Sequence, residues 1–297
     1  MIFVTGATGH VGSHVVRLLK LHGVRMRVSV RPSGAGEISK SLLATDLLGS
    51  ESEVVAFDFL DPTTYHRAVA GCDAVFLLRP PAIANTRDTL IPFLDVARAQ
   101  GVRQVVFVSV MGAESNPLMP HHAVEKHLKS GPASWTIFRS GFFAQNFIDA
   151  YREDICRDNR IYVPAGAAKV AFIDTHDIAE VAVTALLYVE LHQGQAHALT
   201  GPQALSFAAA AALLSTELDR HITYEPASVL GYMRHLQQRG LPAKQNLVQT
   251  LLHAGLRFGQ AGKVTDCLSD LLGHPASTLA EFMQREHLEW KQNLHAA

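Results

Sequence analysis

The chain has 297 residues, 48% of them hydrophobic and 18% charged, enough to bury a large core as one big domain or two modest ones. Lysine and arginine number 26 against 27 aspartates and glutamates, a net charge of −1, which gives no electrostatic case for nucleic acid or an anionic membrane surface. No apolar stretch of about 18 residues is present to span a bilayer, the chain opens on a strand rather than a leader, and Cys72, Cys156 and Cys267 are scattered as suits a reducing compartment. The expectation is therefore a cytoplasmic protein.

Ile2 to Val4 is a short apolar strand that runs straight into glycines at 6, 9 and 12. A helix pattern follows at once, with Val11, Val15, Val16, Leu18 and Leu19 on its buried side. Strand, tight turn and helix in that order form the setting in which backbone N–H groups hold a dinucleotide pyrophosphate. Gly6 permits the sharp turn, Gly9 lets the backbone approach the phosphates, and Gly12 lets the helix lie close to the sheet. Thr8, His10 and Val11 fall in the same turn and join the cofactor-binding candidates.

Arg25 to Val30 alternates polar and apolar residues as a second strand and stops at Arg31-Pro32-Ser33-Gly34. A site for NAD places a carboxylate here to bind the ribose 2′-hydroxyl; this chain has Arg31 and no acid before Glu37. A guanidinium suits a 2′-phosphate through charge-assisted hydrogen bonds, so NADP(H) is the expected cofactor.

Further along, Val54 to Phe57, Ala74 to Leu78, Val105 to Val110 and Trp135 to Phe138 read as buried strands, and Thr63 to Ala70 and Thr89 to Gln100 as helices. Short unalternating strands separated by helices argue an α/β fold with a doubly wound parallel sheet, a Rossmann fold. Ligands in such sheets sit at the carboxyl ends of the strands. Those ends supply Asp58 and Phe59 to flank the adenine, and Leu78 and Arg79 to pass the ribose and pyrophosphate. Ser109 follows, and then Gly141 and Phe142 beside the nicotinamide.

Residues 151 to 169 read as a loop with Pro164 and Gly166, followed by a strand at Val170 to Ile173 and a helix at Thr175 to Tyr188. Ala198 to Pro202 reads as another strand, and Ile222 to Tyr224 as a short extended piece. Helices are expected at Ser206 to Leu218, Leu230 to Gly240, Ala243 to Gly255, Val264 to Leu272 and Thr278 to Leu294. This gives a dinucleotide-binding domain over 1–150, joined by a returning segment at about 170–190. A smaller, mostly helical substrate-binding region over 151–297 would be interleaved with it as a lid.

Thr5-Gly6-Ala7-Thr8-Gly9, Leu77-Leu78-Arg79-Pro80-Pro81 and Val108-Ser109-Val110-Met111-Gly112-Ala113 resemble the NmrA-like branch of the atypical short-chain dehydrogenase/reductases. So do Glu125-Lys126, the run from Arg139 to Asn146, the run from Phe172 to Ala179, Leu271 to Pro275, and Phe282. The resemblance implies either an NAD(P)H-dependent reductase of quinones and related acceptors or a non-catalytic NADP(H) sensor acting through a partner protein. Typical members of the wider family carry Tyr-x-x-x-Lys; here His122-Ala123-Val124-Glu125-Lys126 occupies that spacing, with the Lys kept and the Tyr gone.

Lys126 is the candidate to hold the nicotinamide ribose. His122, whose imidazole titrates near neutrality, is the candidate proton donor, and Ser109, 13 residues earlier, is the third catalytic candidate. Phe142 and Phe143 would wall a flat acceptor, while Gln145 and Asn146 would either orient its carbonyl or cap the next helix. The sixteen histidines show no metal-ligand spacing, so no metal is expected. No basic helix supports direct nucleic-acid contact; the expected partner is a small acceptor, with a monomer or homodimer both open.

Overall fold

The computed structural model describes residues 1–31 and 52–291. It divides into two compact units: Met1–Ser140 with Thr175–Leu199, and Gly141–Asp174 with the chain from Thr200 onward.

The first unit is built on a seven-stranded sheet, every pairing of which is parallel. Its strands are β1 (Ile2–Val4), β2 (Met26–Val30), β3 (Glu53–Ala56), β4 (Ala74–Leu78), β5 (Gln104–Val110), β6 (Ser134–Ser140) and β10 (Gln195–Leu199). They lie side by side in the order β10-β6-β5-β4-β1-β2-β3, with Val4 opposite both Val28 and Phe76, and Phe76 opposite Val106. This is the doubly wound sheet that the buried apolar strands imply, with the order reversing beside β1.

Side chains alternate across it. Phe3, Val75, Leu77, Val105, Phe107 and Ile137 enter one core with Phe57, Phe59, Tyr65, Phe93, Val124 and Leu128. That core carries α2 (Tyr65–Val69), α3 (Leu90–Ala99) and α4 (Pro120–Ser130). On the sheet's other side α1 (His10–Leu21) packs against α6 (Thr175–Leu187), the rings of His14 and His176 meeting edge to face at 5.1 Å. The strand expected at Ala198 to Pro202 starts earlier, at Gln195, and pairs with β6 as the sheet's edge. Its polar start is explained by that position, since Gln195 and Ala196 are exposed.

The second unit has a three-stranded sheet of β7 (Phe142–Phe143), β9 (Lys169–Ile173) and β11 (Ala204–Ser206), and a parallel pair of β8 (Arg160–Val163) with β12 (Thr223–Pro226). Its core gathers Phe147, Tyr151, Phe172, Phe207, Tyr232, Phe282 and Trp290. Helices dominate the rest: α5 (Arg152–Asp158), α8 (Phe207–Leu218), α9 (Val229–Gln238), α10 (Ala243–Gly255), α11 (Cys267–Leu272), α12 (Leu279–Arg285) and α13 (Leu288–Lys291); a short α7 (Val189–His192) belongs to the first unit.

Residues 151–169, read from sequence as a loop, form α5 and β8. Tyr151, Ile155, Ile161 and Val163 are buried there, a pattern hidden by the intervening charges. The long C-terminal helix splits between Arg285 and Leu288; its start is fixed by a capping box between Thr278 and Glu281. Among the described residues no helix is long and apolar enough to cross a membrane, and no cluster of three metal-ligating side chains exists.

Candidate active site

The chain leaves β1 through Thr5, whose buried hydroxyl donates to the Phe76 carbonyl at 3.1 Å and accepts from the Leu78 N–H at 2.8 Å. That pair staples the exit of β1 to the end of β4. Gly6 then turns the chain at φ +65°, a left-handed conformation that disfavours side chains. A Cβ on Gly12 would overlap the Gly6 carbonyl and lie 2.9 Å from the Ala7 nitrogen, so only glycine lets α1 come this close. Thr8, Gly9 and His10 are exposed, whereas the Val11 side chain is core and only its backbone faces the turn. The first α-helical hydrogen bond runs from Ser13 N–H to Gly9 O, which leaves the N–H groups before it without an intrahelical acceptor. α1 has no side-chain N-cap and no acid in its first turn. This cradle fits a dinucleotide pyrophosphate on both shape and charge.

Arg31 ends β2 exposed; the turn Pro32-Ser33-Gly34 lies outside the described residues. At the end of β3, Asp58 accepts the Leu60 N–H at 2.9 Å in a local turn. Phe59 does not present its ring to a ligand: it is 4% exposed, packed on Phe57 and Phe93 at 4.7 and 5.4 Å, so only its backbone is left for an adenine. Leu78 lies against the Gly6 turn. Arg79 is partly buried and held by the carbonyls of Pro80, Pro81 and Ile83 and by His121.

The α4 face resolves the histidine pair. His121 is buried, its Nε2 accepting from Arg79 Nε at 3.1 Å; burial and the Arg79 charge push its pKa down to about 3, so it stays neutral. His122 instead lines a cavity of about 360 Å³ with Glu114, Glu125, Lys126, Lys129 and Ser130. Its Nδ1 lies 2.7 Å from the Ala113 carbonyl, which can only accept, so the proton sits on Nδ1 and Nε2 is the open nitrogen. Lys126 is exposed one turn further along.

Ser109 takes no part in this face: it is fully buried and its hydroxyl donates to Glu125 at 2.7 Å. Ser109, a catalytic candidate by its spacing, is thus held on Glu125 rather than in the cavity that His122 and Lys126 line. Glu125, itself 2% exposed, also accepts from Arg139 at 2.7 and 3.1 Å, tying α4 to β5 and β6. Burial works to raise its carboxyl. The hydrogen bonds from Arg139 and Ser109 and the charges of Arg139 and Lys129 outweigh burial and hold it below the ordinary glutamate range. Sequence reasoning did not assign this cluster a role. Its signal is a carboxylate at 125 on the same helical stripe as His121, Val124 and Leu128, the buried side of α4.

The remaining candidates lie in the second unit. Gly141 opens it; Phe142 and Phe143 are partly buried, and the Phe142 ring meets Phe172 and His253 edge on at 6.1 and 5.6 Å. Gln145 is 3% exposed and its amide donates to the buried Asp174 at 2.9 Å, which is itself paired with Arg285. This bond ties Gln145 to β9's end inside the second unit. Asn146 donates to the Phe143 carbonyl at 2.8 Å, closing the 3-10 turn Ala144–Phe147. Tyr151 and His253 form a further buried pair at 2.6 Å, in which the His253 pKa is pushed down to about 4 by burial.

A glycine turn at the switch point of a parallel sheet defines a dinucleotide-binding fold, and the relatives this chain resembles make it an NAD(P)H-dependent oxidoreductase. The chain belongs to the NmrA-like family, whose model matches residues 1–290. It is 32% identical over 97% of its length to the uncharacterized oxidoreductase YesF of Bacillus subtilis, of which it covers 96%. It is also 32% identical over 95% of its length to an NAD(P)H azoreductase of Xenophilus azovorans, again covering 96% of that protein. Among solved structures, an NADPH-dependent quinone oxidoreductase of Escherichia coli complexed with NADPH superposes with a TM-score of 0.81. The match covers 97% of this chain and 99% of that one at 24% identity, and it carries the fold.

Proposed function

We propose that the protein uses NADPH to reduce a small, flat acceptor such as a quinone or an activated carbonyl. The observation that carries this reading is His122 and Lys126 lining one cavity on α4, in the unit that also holds the glycine cradle. When bound, the nicotinamide supplies hydride; the chain's own residues hold and orient it. The α1 N-terminus and the Gly6–Gly12 turn take the pyrophosphate. Arg31, exposed at the end of β2, supports the choice of a 2′-phosphorylated cofactor. Lys126 would hold the nicotinamide ribose, and the open His122 Nε2 would exchange the proton that follows the hydride.

The two relatives at 32% identity bear oxidoreductase names, which supports turnover over a purely sensory role. The test is NADPH oxidation against quinones, azo compounds, aldehydes and imines, with NADPH binding followed in parallel. Lys126→Ala is expected to lower kcat/KM about 10²-fold through lost positioning, with the protein still folded. Tight NADPH binding without turnover on any acceptor would overturn the reading.

A further inference from the structure

Each partly buried arginine of the first unit other than Arg79 has a carboxylate: Arg27 pairs with Glu53 at 2.6 Å, Arg98 with Asp95 at 3.8 Å, and Arg139 with Glu125 at 2.7 Å. Arg79 has none among the described residues. Its Nη1 donates to the carbonyls of Pro80, Pro81 and Ile83 at 3.0, 3.2 and 2.5 Å, and its Nε to His121 Nε2 at 3.1 Å. All four acceptors are neutral. His121 must keep its lone pair toward the guanidinium, so it adds no negative charge and takes no proton near neutrality.

Arg79 sits beside the start of α4, whose N-terminus has no side-chain cap and no acid in its first turn. The carboxylate further along that helix, Glu125, is taken by Arg139 and Ser109. Holding a guanidinium partly out of water without a counter-ion is costly, and burial accordingly lowers the Arg79 pKa. The Nη2 edge, with two N–H donors in a plane fixed by four bonds, has no acceptor among the described residues. A rigid, charged donor pair of this kind is preorganised for an anionic oxygen. Its root also lies next to the cradle, because Leu78 packs on Gly6.

Resting on the reductase reading above, we propose that Arg79 binds the acceptor's oxygen and stabilises its negative charge, so the substrate class is a carbonyl or quinone and not a cationic dye. A bound reduced nicotinamide would supply the hydride with its electron pair to the carbonyl carbon, and Nη2 would hold the oxygen that takes up the resulting negative charge. A proton from water then completes the hydroxyl. Hydride addition to a triarylmethane cation instead neutralises a positive charge on carbon and creates no oxyanion.

The first measurement is binding of 4-nitrophenolate and 4-nitroanisole to the full chain saturated with NADP+, at a pH where the phenol is ionised. The wild type is expected to prefer the phenolate by about tenfold or more, and Arg79→Gln to lose that preference while NADPH affinity stays within about threefold. Arg79→Lys, which keeps the charge without the fork, should retain part of it and serves if the glutamine variant does not fold. No preference in the wild type, a preference that survives in Arg79→Gln, or an equal loss of NADPH affinity would overturn the assignment. In turnover, Arg79→Gln should slow menadione reduction by about tenfold or more; unchanged menadione turnover would reduce Arg79 to a loop staple. Phenolate preference in a protein that reduces no acceptor would sink the reductase reading and leave the Arg79 site standing.

Discussion

Arg31 stands exposed where β2 ends, and a charge-assisted pair with a 2′-phosphate is worth about 1.5–3 kcal/mol. Arg31→Ala is therefore expected to weaken NADPH binding about tenfold or more and leave NADH nearly unchanged; equal losses in parallel titrations would remove the phosphate argument. Ser109→Ala makes the opposite point. Its hydroxyl serves Glu125, so the substitution should cost about 1.5–3 kcal/mol in denaturant melts and leave the acceptor KM alone. A raised KM at unchanged stability would return Ser109 to the reacting face. The identity of these residues was legible in the sequence, but their direction was not. The spacing of Ser109 and His122 places one on a strand and the other on a helix, whereas which way each points is decided by Glu125 and Ala113, partners that spacing does not reveal.

At the scale of elements, the glycine turn was fully readable because local geometry dictates it. Gly12→Ala drives a methyl into the Gly6 carbonyl, so α1 must move off the sheet. We expect loss of NADPH binding together with a lower Tm; retention of both would show that the close approach is dispensable. The α4 anchor was less readable, since a buried ion pair contradicts the apolar pattern on which helix faces are assigned. Glu125→Gln leaves Arg139 only Glu114, at 3.4 Å, as a carboxylate partner and should cost about 1.5–3 kcal/mol.

The pH dependence follows from the depressed Glu125 carboxyl. Its stabilisation is complete above the ordinary glutamate value of 4.5 and is lost as the pH falls from there through the lower folded value. Melts of wild type and Glu125→Gln should therefore converge as the pH is lowered below that value; a constant gap would deny the linkage. β10 and the α5–β8 segment were misjudged for one reason: their exposed sides are polar, and only the tertiary pairing with β6 and β12 declares them.

For the whole molecule, a ligand that binds only the folded chain stabilises it by mass action. NADPH at 100 times its Kd should add about 2.7 kcal/mol, visible as a higher Tm that NADH at the same concentration does not match. An equal shift with the two nucleotides would count against the NADP(H) assignment.

The chain passes from one unit to the other after Ser140, after Asp174 and after Leu199. The sheet is therefore not finished when its sixth strand is made. During synthesis β6 keeps a bare edge until residues 195–199 emerge, after the intervening 141–174 have already begun a different core. A bare apolar edge is a template for pairing with another chain. Fragments stopping at Ser140 are expected to scatter light as aggregates where fragments reaching Leu199 do so less. The order in which this protein leaves the ribosome is thus written into its topology, and neither half can be cut out, swapped or inherited as one contiguous stretch of sequence.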